Sequence, residues 1–245
     1  MINFNGKDLS NLIRVTDIGR SVLPPSLLTT STIVGRPGAF LFYKQDDSLT
    51  IPVDFMIIEK TASALRAKVR SLGEILDTDE PKKLIFSDEP DKYINAIVSD
   101  GTELSEQLAV ASGQINFYCP DPYWYAVNDD IITGTNRGVY NFVRKGNAES
   151  YPLIEIKGIN GDGSRLIIIS GGQVMDFRGD LLENETLYID SDKMTAYIVD
   201  SNNVSRSVIQ HLTNLDFIVL PKGDNSIDIR GTITSVKITC RSRWK

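Results

Sequence analysis

Apolar side chains recur at every second position from Leu49 to Ile57: Leu49, Ile51, Val53, Phe55 and Ile57 fall on one side. A two-residue period belongs to a strand with one buried face. Pro52 cannot donate a ladder hydrogen bond, so the pattern predicts an edge strand or a bulge there. The period then changes. From Thr61, a residue able to cap a helix, Leu65, Val69, Leu72 and Leu76 recur at helical spacing and form one stripe, with Arg66, Lys68 and Arg70 off it. The pattern predicts one helix over 61–76, ended by Asp77-Thr78-Asp79-Glu80 and Pro81 and packed on a sheet.

The remaining pattern is that of strands. Ile2-Asn3-Phe4, the turn formers Asn5-Gly6, and Leu12–Val15 predict an opening hairpin. Residues 23–40, with Pro24-Pro25 and Gly35-Arg36-Pro37-Gly38, predict a long irregular segment. Strands follow at Lys83–Phe86, Tyr93–Val98 and Glu106–Tyr118, the last with a bulge at Gly113. Ile115 and Phe117 face one way, Asn116 and Tyr118 the other. The alternation stops at Pro120 and Pro122, where Tyr123-Trp124-Tyr125 form an apolar anchor. A domain boundary is therefore expected near residue 130. Residues 128–150 are a linker or a first crossing strand.

Beyond residue 152, strands recur every 8–12 residues: Leu153–Ile159, Leu166–Ser170, Val174–Phe177, Thr186–Asp190, Ala196–Val199, Phe217–Leu220, Ser226–Arg230 and Val236–Cys240. Even spacing without helices points to a β-sandwich. The expected organisation is a first domain over 1–130, of sheet plus helix 61–76, and a second over 131–245.

At 245 residues the chain has room for two cores. Its net charge of −6 is uneven: residues 1–133 hold 12 Lys/Arg against 19 Asp/Glu (−7), and residues 134–245 hold 14 against 13 (+1). An acidic half is ill suited to gripping phosphates, which takes Lys and Arg, but suits a channel wall along which DNA must not stick. Otherwise the acidity serves solubility. The amino terminus lacks the basic and apolar regions of a signal peptide, and no membrane anchor is expected. Cys119 and Cys240 are expected as buried thiols of a reducing compartment.

Nothing points to catalysis. His211 is the one histidine, and no Gly-x-Ser-x-Gly elbow accompanies it; no metal site or cofactor is expected. Asp88, Glu89 and Asp91 are adjacent in a turn, without the cleft an acid/base pair needs. The glycines at 158, 161 and 163 lack a strand–loop–helix setting and predict a hairpin turn. Asp190-Ser191-Asp192 resembles a fragment of a calcium loop without its glycine and distal glutamate.

Several stretches, in this order, are similar to the distal tail proteins of siphophages that infect Gram-positive bacteria. These are Phe4–Ser10 with Leu12–Val15, Gly19-Arg20-Ser21, Gly35-Arg36-Pro37-Gly38-Ala39, the helix Leu65–Leu76, Leu84–Tyr93 and Phe117-Tyr118-Cys119-Pro120-Asp121-Pro122. Leu187–Ser191 and Phe217–Asn225 resemble the family's galectin-like domain. The resemblance implies a mainly β fold with one helix in a tail-tube-like first domain, followed by a galectin-like β-sandwich. It implies a structural virion component at the tail tip, made in the host bacterial cytoplasm. Six copies, in one ring or two, would join the tail tube to the tail-associated hub. Expected partners are further copies of the chain, the major tail-tube protein, the hub protein and receptor-binding or other baseplate components, with DNA only in transit. The second half has no room for an inserted carbohydrate-binding module.

A ring needs two complementary surfaces on each copy. Val22 and the candidate contact residues Leu23, Leu27, Leu28, Ile33, Val34 and Arg36 supply an apolar stretch suited to a neighbouring copy; alternatively they fold back on their own sheet. A competing expectation is a sugar-binding sandwich that contributes to host attachment, with Tyr188 or Tyr197 stacking on the ligand.

Overall fold

The computed structural model describes residues 2–99, 101–161 and 163–245 and divides into two compact units. One runs to Val127 and includes Lys245; the other is Asn128–Trp244. The fold is mainly β, with one α-helix among the described residues.

In the first unit seven strands lie side by side in the order Lys7–Asp8, Ile2–Phe4, Lys82–Phe86, Lys92–Ser99, Val110–Cys119, Leu49–Ile58 and Arg14–Ile18. Leu49, Ile51, Val53, Phe55 and Ile57 are all buried, as their period requires. They meet Ala111, Ile115, Phe117 and Cys119 of the neighbouring strand in one core. The strand Val110–Cys119 ends where Pro120 begins, and Tyr118 points away from the core. The helix Ala62–Leu76 starts at Thr61, whose hydroxyl accepts from the Ala64 amide at 3.2 Å. Leu65, Leu72 and Leu76 are buried and Val69 packs beside them. Lys68 pairs with Glu59 at 2.6 Å and Arg66 with Glu106 at 2.8 Å, off the buried stripe. Thr61→Ala removes the cap and is expected to cost about 1 kcal/mol, read as a lower urea midpoint with unchanged slope.

Several details differ from the expectations. Asn5 (φ 52°) and Gly6 (φ 73°) form the expected tight turn, but the returning strand is Lys7–Asp8 rather than Leu12–Val15. Positive φ at both central residues matches the twist of a two-residue hairpin, which closes at once. Leu49–Ile58 is no edge strand, since it is flanked on both sides. Pro52 is tolerated because its carbonyl accepts from Gly19 at 2.9 Å on the side where the Arg14–Ile18 ladder has just ended, so its missing N–H leaves no gap. The expected strand Glu106–Tyr118 is two strands, Leu104–Gln107 and Val110–Cys119, paired as a hairpin about Leu108 (φ 55°). Gly113 is not bulged; it lies in continuous register with Phe55. It is needed for close approach, because a Cβ there would stand 2.6 Å from the Glu103 carbonyl oxygen.

The second unit is a sandwich. A six-stranded sheet runs Ile131–Gly134, Thr232–Thr239, Leu153–Ile159, Thr186–Asp190, Thr195–Val199 and Ser205–Ser207. A four-stranded sheet runs Gly138–Arg144, Gly223–Arg230, Leu166–Ser170 and Gln173–Phe177. Ile154, Ile156, Leu187, Ile189, Val236 and Ile238 of the first sheet face Leu166, Ile168, Met175, Phe177, Ile227 and Ile229 of the second across one core. The inward positions of both sheets alternate with outward ones, as in face-to-face packing.

Residues 128–150, expected as a linker or one crossing strand, supply an edge strand to each sheet. Phe217, Ile218 and Leu220 are buried, but the run 217–220 joins no strand; it makes one bridge, Leu220 to Ser150. Its apolar run serves the core from a loop, which periodicity alone cannot distinguish from a strand. The glycine-rich stretch after Ile159 is not a hairpin turn, because the strands either side of it belong to different sheets. Asp162 of that stretch lies outside the described residues.

Candidate assembly surface

Residues 23–40 are not irregular throughout. Ser26–Ser31 pairs with Phe40–Asp46 as a hairpin that forms a two-stranded sheet of its own. Neither strand shows buried alternation; almost every residue of both is exposed. The candidate residues Leu23, Leu27, Leu28, Ile33 and Val34 are all exposed, as are Phe40, Leu41, Phe42 and Tyr43. The alternative of folding back on their own sheet is therefore not what occurs. Arg36 lies in the turn with its guanidinium 5.6 Å from the Phe40 ring centroid. The apolar run Phe40–Tyr43, also part of this surface, lies outside the expected contact set. The continuous apolar run Phe40-Leu41-Phe42-Tyr43 was the available signal, without alternation and masked by the Pro and Gly residues before it.

So large an unburied apolar ribbon is unfavourable in water, and an isolated two-stranded hairpin is marginal by itself. Pro24 and Pro25 stiffen its base, and the Asp47 amide donates to the Pro25 carbonyl at 2.8 Å. The arm is thus anchored at its root and uncovered along its length.

The groups considered for chemistry are engaged elsewhere. Arg20 donates to both Asp88 oxygens at 2.6 and 2.8 Å and lies over the Phe86 ring at 4.3 Å. That guanidinium holds the Asp88 carboxyl below the usual carboxylate range. Glu89 pairs with Lys92 at 2.6 Å. His211 is exposed at the end of a short 3-10 turn, edge-on to Phe177. Asp190 is buried and accepts from Arg241 at 2.7 and 3.0 Å and from the Asp192 and Lys193 amides. This is a turn closed by an ion pair, and no group of His, Cys, Asp and Glu able to hold a metal occurs among the described residues. Cys119 and Cys240 are buried free thiols, and burial pushes each up to about 12.

Among the described residues, the second unit holds three buried carboxylates against arginines: Asp176 with Arg165 and Arg178, Glu185 with Arg206, and Asp190 with Arg241. Hydrogen bonds from Arg165 lower Asp176, and those from Arg206 lower Glu185. For Asp190, burial raises the pKa, but the Arg241 and Lys193 hydrogen bonds outweigh it. All three are depressed from ordinary values of 3.8 for Asp and 4.5 for Glu. A depressed carboxylate stabilises the fold above its unfolded value, and that contribution is lost as pH falls through the folded one. The urea midpoint of this unit is therefore expected to be flat at neutral pH and to drop below about pH 4.5. In Asp176→Asn the drop should be shallower, and an equally steep drop would show that the pair is not its source.

Tyr188 and Tyr197 stack on each other, with centroids 5.0 Å apart and planes 4° apart. Tyr188 borders a groove of about 440 Å³ with Glu155, Lys157, Asn184, Asn203 and Lys237.

Residues 7–119 match the family model of the phage tail protein RIFT-related domain. The distal tail protein of Bacillus phage SPP1 is 28% identical over 136 residues, 54% of this chain, and that match spans about half (53%) of the relative's own length. Among solved structures, the SPP1 Dit protein, described as a paradigm of the hub adsorption apparatus in phages infecting Gram-positive bacteria, superposes with a TM-score of 0.82 at 17% identity. That likeness covers 100% of this chain and 98% of the other. A chain of the phage P2 baseplate in its activated conformation with calcium is more distant, with a TM-score of 0.56 at 10% identity over 98% and 93% of the two chains. These likenesses agree: residues 7–119 are similar to a phage tail protein domain, and the fold of the chain is that of the SPP1 Dit protein.

Proposed function

We propose that this chain is a siphophage distal tail protein, a structural component of the tail tip, which closes into a ring of six copies around a channel, joins the tail tube to the tail-associated hub, and lets DNA pass. The observation that carries the reading is the uncovered apolar arm. A chain that keeps such a ribbon out of its own core needs another surface to cover it, and a contact between unlike surfaces closes into a ring on rotation. The acidic charge of residues 1–133 fits a wall that DNA crosses without adhering. The protein acts through its backbone architecture and not as an enzyme: the lone histidine is exposed, and the acidic turn is paired with Arg20 and Lys92. Further partners are the tail-tube protein, the hub protein and receptor-binding components. The chain is made in the host cytoplasm, where its two thiols stay reduced.

Native mass spectrometry of the purified chain tests the ring. Six copies, or twelve for two stacked rings, are expected at micromolar concentration. A monomer at every concentration and salt would overturn it.

A second reading, sugar binding by the sandwich, has the Tyr188 groove in its favour. However, Tyr197 occupies one face of Tyr188, and the Lys237–Glu155 pair at 2.7 Å fills part of the polar complement. A glycan array is expected to be silent, and a hit abolished by Tyr188→Ala would establish this second reading.

A further inference from the structure

On the outer face of the four-stranded sheet, Asp176 is covered by more positive charge than one carboxylate neutralises. Met175 and Phe177 face the core of the second unit, so strand alternation turns Asp176 outward. Its side chain is nevertheless only 5% exposed, because Arg165 and Arg178 lie over it. Leu166 pairs with Phe177, which sets Arg165, just before one strand, beside Arg178, just after the other. Each arginine turns its Nε–Nη2 edge to the carboxylate. Arg165 Nε lies 3.1 Å from both oxygens and its Nη2 2.5 Å from Oδ2. Arg178 reaches the same Oδ2 with Nε at 3.2 Å and Nη2 at 3.1 Å. Among the described residues, Nη1 of neither arginine has a protein partner, and the two side chains are 49% and 57% exposed.

Like charges set opposite each other on a sheet are unfavourable, and an ion pair serving stability alone needs a single arginine. The second guanidinium leaves a net positive charge and two outward forks, both fixed from beneath by one buried carboxylate. Donors aimed in advance and held by a buried partner are what a receptor for an oxyanion requires. Arg230 lies on the same face across Ile167, but Asp228 neutralises it at 2.7 Å, so the uncompensated charge belongs to the Arg165–Arg178 pair. Geometry selects the ligand. A guanidinium fork matches a pair of oxygens. Two forks suit a tetrahedral group, which offers an oxygen pair to each, better than a planar carboxylate with only one pair.

We propose that Arg165 and Arg178, positioned by Asp176, form a binding site for a phosphate group on the outer face of the second unit. The site depends neither on the ring nor on the Tyr188 groove, which belongs to the other sheet.

Isothermal titration calorimetry of the whole chain, at constant ionic strength, tests it with inorganic phosphate, glycerol phosphate and acetate. Saturable binding of one phosphate per chain is expected. Arg165→Lys and Arg178→Lys keep the charge and lose the fork, and each should bind about tenfold more weakly. Asp176→Asn adds net positive charge, so simple attraction would tighten binding, whereas loss of positioning weakens it; weakening is expected. The proposal is overturned by the absence of saturable heat with both phosphates, by Lys variants that bind as the parent does, or by a tighter Asp176→Asn. Acetate bound as tightly as phosphate would overturn the choice of ligand. If Asp176→Asn melts lower than the parent, the two Lys variants, altered only at half-exposed side chains, decide alone. Tighter binding of glycerol phosphate than of inorganic phosphate identifies a phosphoryl group carried on a larger molecule, and equal or weaker binding identifies the free ion.

Discussion

Removal of the arm is expected to yield a folded, soluble monomer. Ser26 and Asp46 are paired across the root of the hairpin, so a four-residue Gly/Ser turn can replace residues 27–45 without pulling the chain apart. No residue of the arm belongs to the first unit's core, which is made by Phe4, Phe55, Phe86, Phe117 and their aliphatic neighbours. The deletion should therefore leave the melting temperature of the isolated chain almost unchanged, and it exposes less apolar surface than the parent does. Its mass should fall from six copies to one. Light scattering checks the assembly and differential scanning calorimetry the fold. Deleted protein that still forms the parental ring would show that the arm is not the subunit contact, whatever its exposure.

The second large effect lies inside the first unit. Phe117→Ala is expected to cost about 3–5 kcal/mol, as a fully buried aromatic does when truncated. Phe117 is 0% exposed, its ring centroid lies 5.2 Å from that of Phe4, and its strand is paired on both sides, to Ile51 and to Val98. Strands so enclosed cannot close over the vacated space, so the cavity persists. Against a typical total of about 5–15 kcal/mol, the loss is a large fraction of the stability of the unit. Tyr118→Ala, one residue on and facing out, is the control, expected within about 1 kcal/mol. Urea unfolding monitored by tryptophan fluorescence measures both. Equal effects at 117 and 118 would contradict the assigned faces.

Much of the fold was legible because burial imposes a period. Leu49 to Ile57 and Ile115–Phe117 announced their strands by alternation, and Thr61 with Leu65, Val69, Leu72 and Leu76 announced the helix by its spacing. The arm was legible only as an apolar stretch in need of a partner. Its strands bury nothing within the chain, so no in–out contrast marked them, and the turn formers at 35–38 suggested a loop. The bulge expected at Gly113 fails for a related reason: the contact that excludes a side chain comes from Glu103, and a linear reading does not bring the two together.

By itself the amino-acid sequence determined the class of the protein, the single helix and the faces of the core strands, because each depends on residue type and local spacing. Tertiary structure alone decided which strands are neighbours, that the run 26–46 stands as a separate ribbon open on both sides, and that Asp88 and Asp190 answer to Arg20 and Arg241. Those outcomes turn on contacts between residues far apart in the chain, 68 positions for Arg20 and Asp88, and the closing of such distances is what folding adds to a sequence.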